Sequence, residues 1–283
     1  NKPNMLGTWT MGADLYSAVS VLEGLRTVVG DRVELLYAKG SNLTYDKEME
    51  DRVTQNWGMP YKHFDRDGRS AAQLEAEALA VARRADVIVA VMGEAAELAG
   101  EGASRACLDI PDAQKALLKK LTRIGKPVVL VLFAGRPMTL VWEDANVDAI
   151  LNVWFPGTEA GLAVADVLFG NAEPGGRLTM TFPRTVGQVP LRYSCKSTGR
   201  PADEAGTIRA YVTGYIDETV LPLYPFGYGL SYTDFRYGEL ELDRTQMAPG
   251  ESITASIRVT NTRRCSNSIP PICGMFTNRE SSR

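Results

Sequence analysis

The sequence predicts an α/β fold, in which a mostly parallel sheet carries helices on both faces and is followed by a partial all-β module. Three apolar runs rich in β-branched residues, at 86–92, 128–133 and 149–154, have the length and composition of buried parallel strands. Segments with helical spacing of apolar residues alternate with these runs, and that alternation is typical of βαβ units. From residue 238 the pattern changes to strict alternation, which indicates antiparallel strands.

The individual elements follow from local signals taken in chain order. Apolar residues at helical spacing predict a helix over 13–29, and a short apolar run predicts a strand over 33–37. Ser70 followed by Gln73 is the signature of a capping box, which begins a helix that continues to residue 84. Further helices are predicted over 113–122 and, after a turn at 155–159, up to residue 168; half-buried antiparallel strands are predicted over 239–242 and 252–259.

Composition excludes several classes of function. The 31 basic and 34 acidic residues give a net charge of −3, so nothing in the balance indicates nucleic acid or a membrane surface as a partner. His63 is the only histidine, and the absence of a G-x-S-x-G motif argues against a Ser-His-Asp hydrolase. The four cysteines (Cys107, Cys195, Cys265, Cys273) form no CxxC pair, so neither a disulfide scaffold nor a zinc site is expected.

The loop after the run at 86–92 is the strongest candidate for a site. Ligands of parallel sheets bind where the strands end, and here the strand leads into a polar, glycine-rich segment. Glu101 stands between Gly100 and Gly102, so the backbone can bend freely and present a lone carboxyl group. Alternatively, Glu94, Glu97 and Glu101 are spaced as on the solvated face of a helix, in which case none is catalytic.

Five blocks of the sequence form a recognisable pattern. They are GE at 93–94 with EGASR at 101–105 and LDIP at 108–111; GKP through GRP at 125–137; PGTEAG through ADVLFG at 156–170; PGGRL through TFPR at 174–184; and YPFGYGLSY at 224–232. Together these blocks resemble the second domain of glycoside hydrolase family 3, the β-glucosidase and β-xylosidase family. The resemblance covers most of residues 4–262 and is greatest toward the periplasmic, bacterial type of β-glucosidase.

This resemblance implies a division of labour between domains. In the family a TIM barrel supplies an Asp nucleophile, and the α/β sandwich domain supplies the acid/base Glu, which by motif falls on Glu101. Ser104 and Arg105 would orient Glu101 or contact sugar hydroxyls, although capping and surface pairing explain them equally well. Glu94 and Arg136 are expected to be structural, and Trp9, Trp154 and Phe155 to be either core residues or sugar-stacking platforms.

The resemblance also implies the boundaries of the domains and the location of the protein. Because the chain begins without Met or a leader peptide, we expect it to be a piece of a longer periplasmic or secreted protein whose signal peptide lies upstream. The expected stretches are the α/β sandwich at 1–190, a Pro/Gly/aromatic connector at 191–234, the start of a fibronectin type III-like module at 235–262, and an atypical, disordered tail at 263–283.

The function implied is that of a retaining β-glucosidase acting on terminal, non-reducing β-linked glucose in a glucoside or oligosaccharide. No metal or organic cofactor is expected, and without the barrel the chain alone is expected to be inactive. Two alternatives remain open from the sequence. The chain could be a catalytically silent sugar-binding or interaction domain, or it could belong to a β-xylosidase or an N-acetylglucosaminidase, whose acid/base often comes from the barrel.

Overall fold

A computed structural model describes residues 2–10, 12–55, 66–197, 199–203 and 209–262. Within these residues the chain forms two compact units. The first consists of the described residues up to Asp166 together with those of Arg177–Tyr228, and the second of Val167–Gly176 and residues 229–262. Four features of the sequence lie outside the described residues: His63, Cys265, Cys273 and the tail at 263–283 that we expect to be disordered.

The centre of the first unit is a three-stranded parallel sheet. Its strands are β1 (Ile88–Gly93), β2 (Val128–Phe133) and β3 (Ala149–Asn152), arranged in the order β1-β2-β3. Ile88 pairs with Val128, and Val129 pairs with Ala149, so the carboxyl ends of all three strands lie at one edge. Every residue of β2 is buried, which means that both faces of the sheet are covered at its central strand. The predicted α/β fold with parallel strands is therefore confirmed.

Seven α-helices are present in the described residues, and the two that flank β1 in sequence match the prediction closely. The helix predicted from a capping box runs from Ala71 to Arg84, and Ser70 and Gln73 make both hydrogen bonds of the box. The next helix covers Asp112–Leu121, within one residue of the prediction. The helices are α1 (Pro3–Leu6), α2 (Val21–Val29), α3 (Lys47–Gln55), α4 (Ala71–Arg84), α5 (Asp112–Leu121), α6 (Val141–Asn146) and α7 (Ala160–Leu168).

The hydrophobic core of the first unit lies between the sheet and its helices. The buried cluster joins residues of β1 and β2 to the inward faces of α4 and α5. Leu118 of α5 and Leu130 of β2 are completely buried. Each fully buried side chain of this size contributes about 1.5–3 kcal/mol from removal of apolar surface from water. The packing of α4 and α5 against the sheet therefore holds in place the edge at which the strands end.

The helix predicted over 13–29 is shorter in the structure and begins at Val21. Ser20 is its N-cap and forms a capping box with Glu23. Just before the cap, the Val19 N–H donates to the Thr158 carbonyl at 2.8 Å, and the Val19 carbonyl accepts from Gly161 at 3.0 Å. These long-range backbone bonds occupy groups that a helix would need, so the helical spacing of residues 13–20 does not produce a helix.

Two further boundaries differ from the sequence prediction. Residues 33–37 do not form a strand, because no neighbouring strand of the described chain pairs with them, although Val33 itself is extended. The strand predicted over 149–154 ends at Asn152, and Trp154 adopts a φ of 53°, which is not a strand conformation. Helices α1, α3 and α6 were not predicted.

The second unit contains an antiparallel pair of strands, β4 (Phe235–Leu242) and β5 (Ala255–Asn261). Phe235 pairs with Asn261 and Leu242 with Ala255, which confirms the predicted antiparallel arrangement. The expectation that these strands are half-buried is wrong, since every residue of both strands is exposed. A two-stranded ribbon has no second layer to cover its apolar face within the described residues.

Candidate active site

Glu101 lies on the loop that follows β1, and its side chain is exposed to solvent. Its neighbours Gly100 and Gly102 have φ values of +106° and +70°, a region that other residues rarely adopt. The Ala103 N–H donates to the Gly100 carbonyl at 3.3 Å, which closes a turn around Glu101. The loop therefore presents this carboxyl group outward at the edge of the sheet where β1 ends.

The amino-terminal segment supports one side of this loop. The Thr8 hydroxyl lies 2.5 Å from the Ala96 carbonyl and 3.0 Å from the Ala99 carbonyl, and the Asn4 side-chain oxygen accepts from the Ala96 N–H at 2.9 Å. A Cβ at position 100 would lie 2.9 Å from the Thr8 side chain. Gly100 is thus required by close approach as well as by its backbone conformation. Sequence reasoning assigned no role to Thr8.

Glu94 is the centre of a buried ionic cluster beneath the loop. Its side chain is 0% exposed, and its carboxylate accepts from Arg105 Nη1 at 2.8 Å and from the Gly135 N–H at 3.1 Å. Arg136 Nε also donates to it, 3.0 Å from Oε1 and 3.2 Å from Oε2. A buried carboxylate is tolerated only when it is paired and hydrogen-bonded in this way. We call these four residues, Glu94, Arg105, Gly135 and Arg136, the Glu94 cluster.

Arg136 connects this cluster to the backbone of the Glu101 loop. Its Nη2 donates to the Ala103 carbonyl at 2.8 Å and also to the Leu98 carbonyl. These two carbonyl groups stand on either side of residues 99–102, so a single guanidinium group contacts both ends of the turn that carries Glu101. Glu94 follows β1 and Arg136 follows β2. From the sequence, the proximity of Glu94 and Arg136 could be inferred only if β1 and β2 were already known to be neighbours in the sheet.

The three loop residues that the sequence analysis proposed for the site, Glu101, Ser104 and Arg105, differ in their exposure to solvent. Glu101 and Ser104 are exposed, whereas the Arg105 side chain is only 15% exposed and is bound to Glu94 and to the Asp109 carbonyl. The alternative of one solvated helical face for the three glutamates is wrong, because only a short 3-10 turn at Ala96–Leu98 forms and Glu94 is buried. Glu94 and Arg136 bind groups within the fold, which agrees with the structural roles expected for them.

The three aromatic residues considered for sugar stacking, Trp9, Trp154 and Phe155, also differ in their exposure to solvent. Trp154 packs against the core and lies 5.8 Å from Phe182 between ring centroids. Phe155 lies against Gly7 and Gly135, where an added Cβ would come within 3.1 Å of its ring. Trp9 is 58% exposed and follows the loop-binding Thr8 directly. Of these aromatic residues, Trp9 presents the greatest accessible surface near the loop.

A second charged cluster stabilises the carboxyl end of the loop. Asp109 accepts from Lys115 Nζ at 2.9 Å and from the Thr139 hydroxyl. Burial raises the pKa of Asp109, but the bonds from Lys115 and Thr139 outweigh burial and hold the pKa below its usual value. Glu143 is completely buried 3.5 Å from the same ammonium group, and burial raises the pKa of its carboxyl. Burial lowers the pKa of Lys115, yet its two carboxyl neighbours raise it overall.

The sequence profile of the glycosyl hydrolase family 3 C-terminal domain matches residues 1–232, which is most of the chain. The chain belongs to glycosyl hydrolase family 3. The family membership inferred from the blocks of sequence around Glu101 is thereby confirmed, and the parallel sheet with its exposed loop is the α/β sandwich of this family.

Several relatives in family 3 are similar over nearly the whole chain. The periplasmic beta-glucosidase of Salmonella typhimurium is 44% identical over 259 residues, covering 92% of this chain and 33% of the relative. A beta-xylosidase of Formosa agariphila is 41% identical and covers 86% of this chain and 29% of its own length. The crystal structure of beta-glucosidase from Listeria innocua in complex with isofagomine has a TM-score of 0.71 and 34% identity, with 92% of this chain and 32% of that chain covered.

This family 3 chain spans about a third of the length of the relatives that it matches. Among the residues that the structure describes, no helix has the length and apolar character needed to cross a membrane.

Proposed function

We propose that this chain carries the general acid/base residue, Glu101, of a retaining β-glucosidase that hydrolyses terminal, non-reducing β-D-glucosyl residues. The observation that carries the proposal is an exposed carboxylate on a turn whose two ends are hydrogen-bonded to a buried ionic cluster. This arrangement meets the main requirement for a general acid, a proton donor held in a defined place and accessible to substrate. The names of the Salmonella and Listeria relatives support glucose as the sugar.

The proposed chemistry needs two carboxyl groups that stand about 5–5.5 Å apart. Glu101 donates its proton to the glycosidic oxygen while a nucleophilic carboxylate attacks the anomeric carbon and forms a glycosyl-enzyme. Glu101 then removes a proton from the water that hydrolyses this intermediate. We propose that the nucleophile is an Asp on a TIM barrel that precedes this domain in the full-length protein, as the family resemblance implies. The glucoside or β-linked oligosaccharide then binds between the two domains.

The remaining assignments are part of the same proposal. Residues 1–190 form the α/β sandwich domain, 191–234 a connector, 235–262 the beginning of a fibronectin type III-like module, and 263–283 an atypical tail. The pair of antiparallel strands β4 and β5 supports the third assignment. A periplasmic location is supported by the name of the Salmonella relative. Ser104 is proposed as a residue that orients Glu101 or the sugar, because its side chain is exposed beside the turn.

The first experiment compares Glu101→Gln with the wild type in the full-length protein. On cellobiose, whose leaving group needs protonation, we expect kcat/KM to fall by about 10²–10⁴-fold. On an aryl β-glucoside with a good leaving group, much of the rate of glycosyl-enzyme formation should remain. Added azide should restore turnover of the aryl glucoside and give β-glucosyl azide, because a small anionic nucleophile needs no general base.

Glu48→Gln is the matched control, since it makes the same chemical change at an exposed glutamate on α3. It should leave both substrates unaffected. The assignment of Glu101 is wrong if Glu101→Gln behaves as the wild type on every substrate, or if its loss is equal on cellobiose and on the aryl glucoside.

A second candidate function is β-xylosidase activity, which the name of the Formosa relative favours. Aryl β-glucoside and aryl β-xyloside assayed side by side distinguish the two functions. A larger kcat/KM on the xyloside would identify the activity as that of a β-xylosidase, and the proposed role of Glu101 would be unchanged.

A further inference from the structure

We infer that Arg136, held in place by Glu94, is a positioning residue that sets where the acid/base carboxyl of Glu101 stands. This inference rests on the proposed function, because it concerns the efficiency of Glu101 as a proton donor. Glu101 is exposed and its two glycine neighbours leave its backbone free to bend. The local sequence therefore does not fix the position of the carboxyl, and something outside the turn must do so.

The contacts of Arg136 supply that constraint. Its Nη2 contacts the carbonyl groups of Leu98 and Ala103, which are the two ends of the turn around Glu101. Its Nε is bound to the carboxylate of Glu94. A planar guanidinium group can make these bonds at once in a fixed geometry, whereas the ammonium group of lysine is a single point on a flexible chain. The distance between the ends of the turn therefore depends on an arginine at this position.

Glu94 fixes the orientation of the arginine rather than touching the turn. The Gly135 N–H and Arg105 also bind its carboxylate. Glu94 directly follows β1, and Gly135 and Arg136 come two and three residues after the end of β2; the last residues of these strands, Gly93 and Phe133, are paired in the sheet. The cluster thus connects the edge of the sheet to the turn that carries Glu101. An error of about 1 Å in the placement of a catalytic group can cost about 10²-fold in rate.

The substitution Arg136→Lys separates positioning from simple stability. Arg105 still neutralises Glu94 in this variant, so the buried carboxylate keeps a cation and the fold is expected to survive. If Arg136 acts through the general acid, kcat/KM on cellobiose should fall by about 10- to 100-fold, while glycosyl-enzyme formation from an activated aryl β-glucoside falls by less than about threefold.

The decisive measurement is a double-mutant cycle with Glu101→Gln in the full-length protein. Once the acid has been removed, Arg136→Lys should change kcat/KM on either substrate by less than about twofold, because there is no longer a proton donor to position. Arg184→Lys is the control, since Arg184 is also a partly buried arginine with a carboxylate partner, Glu218 at 2.9 Å, and in the described structure its guanidinium group is not hydrogen-bonded to the turn around Glu101. It should leave the ratio of the two activities unchanged.

The variant Thr8→Val provides an independent measurement in case Arg136→Lys does not fold. Valine keeps the shape of threonine but removes the hydroxyl that contacts the Ala96 and Ala99 carbonyls. It should cause a smaller loss in the same direction, about two- to tenfold on cellobiose alone. Equal losses on both substrates, or losses that add to that of Glu101→Gln, would overturn the inference but leave the proposed function intact. The proposed function itself fails if the single variant Glu101→Gln behaves as the wild type, or if Glu101→Gln loses activity equally on cellobiose and on the aryl glucoside.

Discussion

At the scale of the residue, the buried carboxyl of Glu143 differs from that of Glu94. Glu94 accepts three hydrogen bonds, whereas neither oxygen of Glu143 has a hydrogen-bond partner in the described structure. Its charged neighbour is Lys115, whose Nζ is 3.5 Å away and is closer to Asp109. Burial raises the pKa of Glu143, so the folded protein binds its proton more tightly than the unfolded chain does. Ionised Glu143 therefore has an energetic cost.

This cost predicts a pH-dependent effect of Glu143→Gln. A raised pKa gives a stability contribution that is present below the unfolded pKa of about 4.3 and is lost as the pH rises through the folded pKa. Glutamine resembles the neutral acid at every pH. The free energy of unfolding of the variant should therefore exceed that of the wild type by on the order of 1 kcal/mol at pH 8, and this difference should shrink toward pH 4. Urea midpoints at the two pH values measure it.

Asp109→Asn provides a control of opposite sign on the same lysine. The pKa of Asp109 is lowered in the folded protein. Its contribution to stability is therefore present above its unfolded pKa of about 3.9 and is lost as the pH falls through the folded pKa. The variant should be less stable than the wild type at pH 8 and should approach it in acid. A loss of stability in Glu143→Gln at pH 8 would mean that attraction to Lys115 exceeds the cost of burial.

At the scale of the element, helices α2 and α7 meet through two glycines. A Cβ on Gly24 of α2 would lie 2.0 Å from the Gly161 carbonyl oxygen, and a Cβ on Gly161 would lie 2.1 Å from the Ser20 carbonyl oxygen. The backbones are therefore in direct contact, and the backbone bonds of Val19 to Thr158 and Gly161 extend the same contact. The same turn before α7 also binds the amino-terminal segment, since the Gly157 N–H donates to the Met5 carbonyl at 2.8 Å.

The substitution Gly24→Ala should destabilise the protein although alanine is the better helix former. Alanine gains about 1 kcal/mol of helix propensity. The overlap with backbone atoms that cannot move independently costs more, about 3 kcal/mol or above, so a net loss of about 2 kcal/mol or more is expected. The control is Gly68→Ala, where a Cβ meets nothing within 4 Å. A Gly24→Ala variant with an unchanged denaturation midpoint would show that the two helices separate without cost.

At the scale of the whole molecule, the chain corresponds to one part of longer relatives. It spans about a third of its relatives, and the proposed acid/base residue is exposed rather than enclosed in a pocket. A general acid needs water to be excluded and a nucleophile on the opposite side of the sugar. Both requirements are met if a second domain covers the Glu101 loop.

The 283-residue chain on its own should therefore be inactive. Purified chain should release no aryl alcohol from an activated β-glucoside, whereas the full-length protein should hydrolyse it, because only the latter brings both carboxyl groups to the sugar. Release of the aryl alcohol is measured in the same assay for equal molar amounts of the isolated chain and of the full-length protein. Hydrolysis by the isolated chain that is lost in Glu101→Gln would place the nucleophile within these residues and remove the need for the barrel.

The sequence by itself determined the features that depend on local chemistry. Continuous β-branched runs identify β1 and β2. In the central strand β2 every side chain is buried, as expected of a parallel strand that is covered on both faces, whereas Val91 of the edge strand β1 is exposed. Ser70 and Gln73 locate the start of α4 because a capping box involves only neighbouring residues. The glycines around Glu101 indicate a loop that can present a carboxyl group, and the surrounding blocks identify the family.

Only the tertiary structure decided the features that depend on partners distant in the chain. Glu94 and Arg136 are 42 positions apart and meet because β1 and β2 are neighbours in the sheet. Residues 13–20 have helical spacing, yet the backbone of Val19 pairs with the segment at 158–161 instead. The strands β4 and β5 have an alternating pattern, but burial requires a second layer that the pattern cannot supply. Local propensities set the backbone of each segment, whereas hydrogen-bond partners and burial are set by which segments come together.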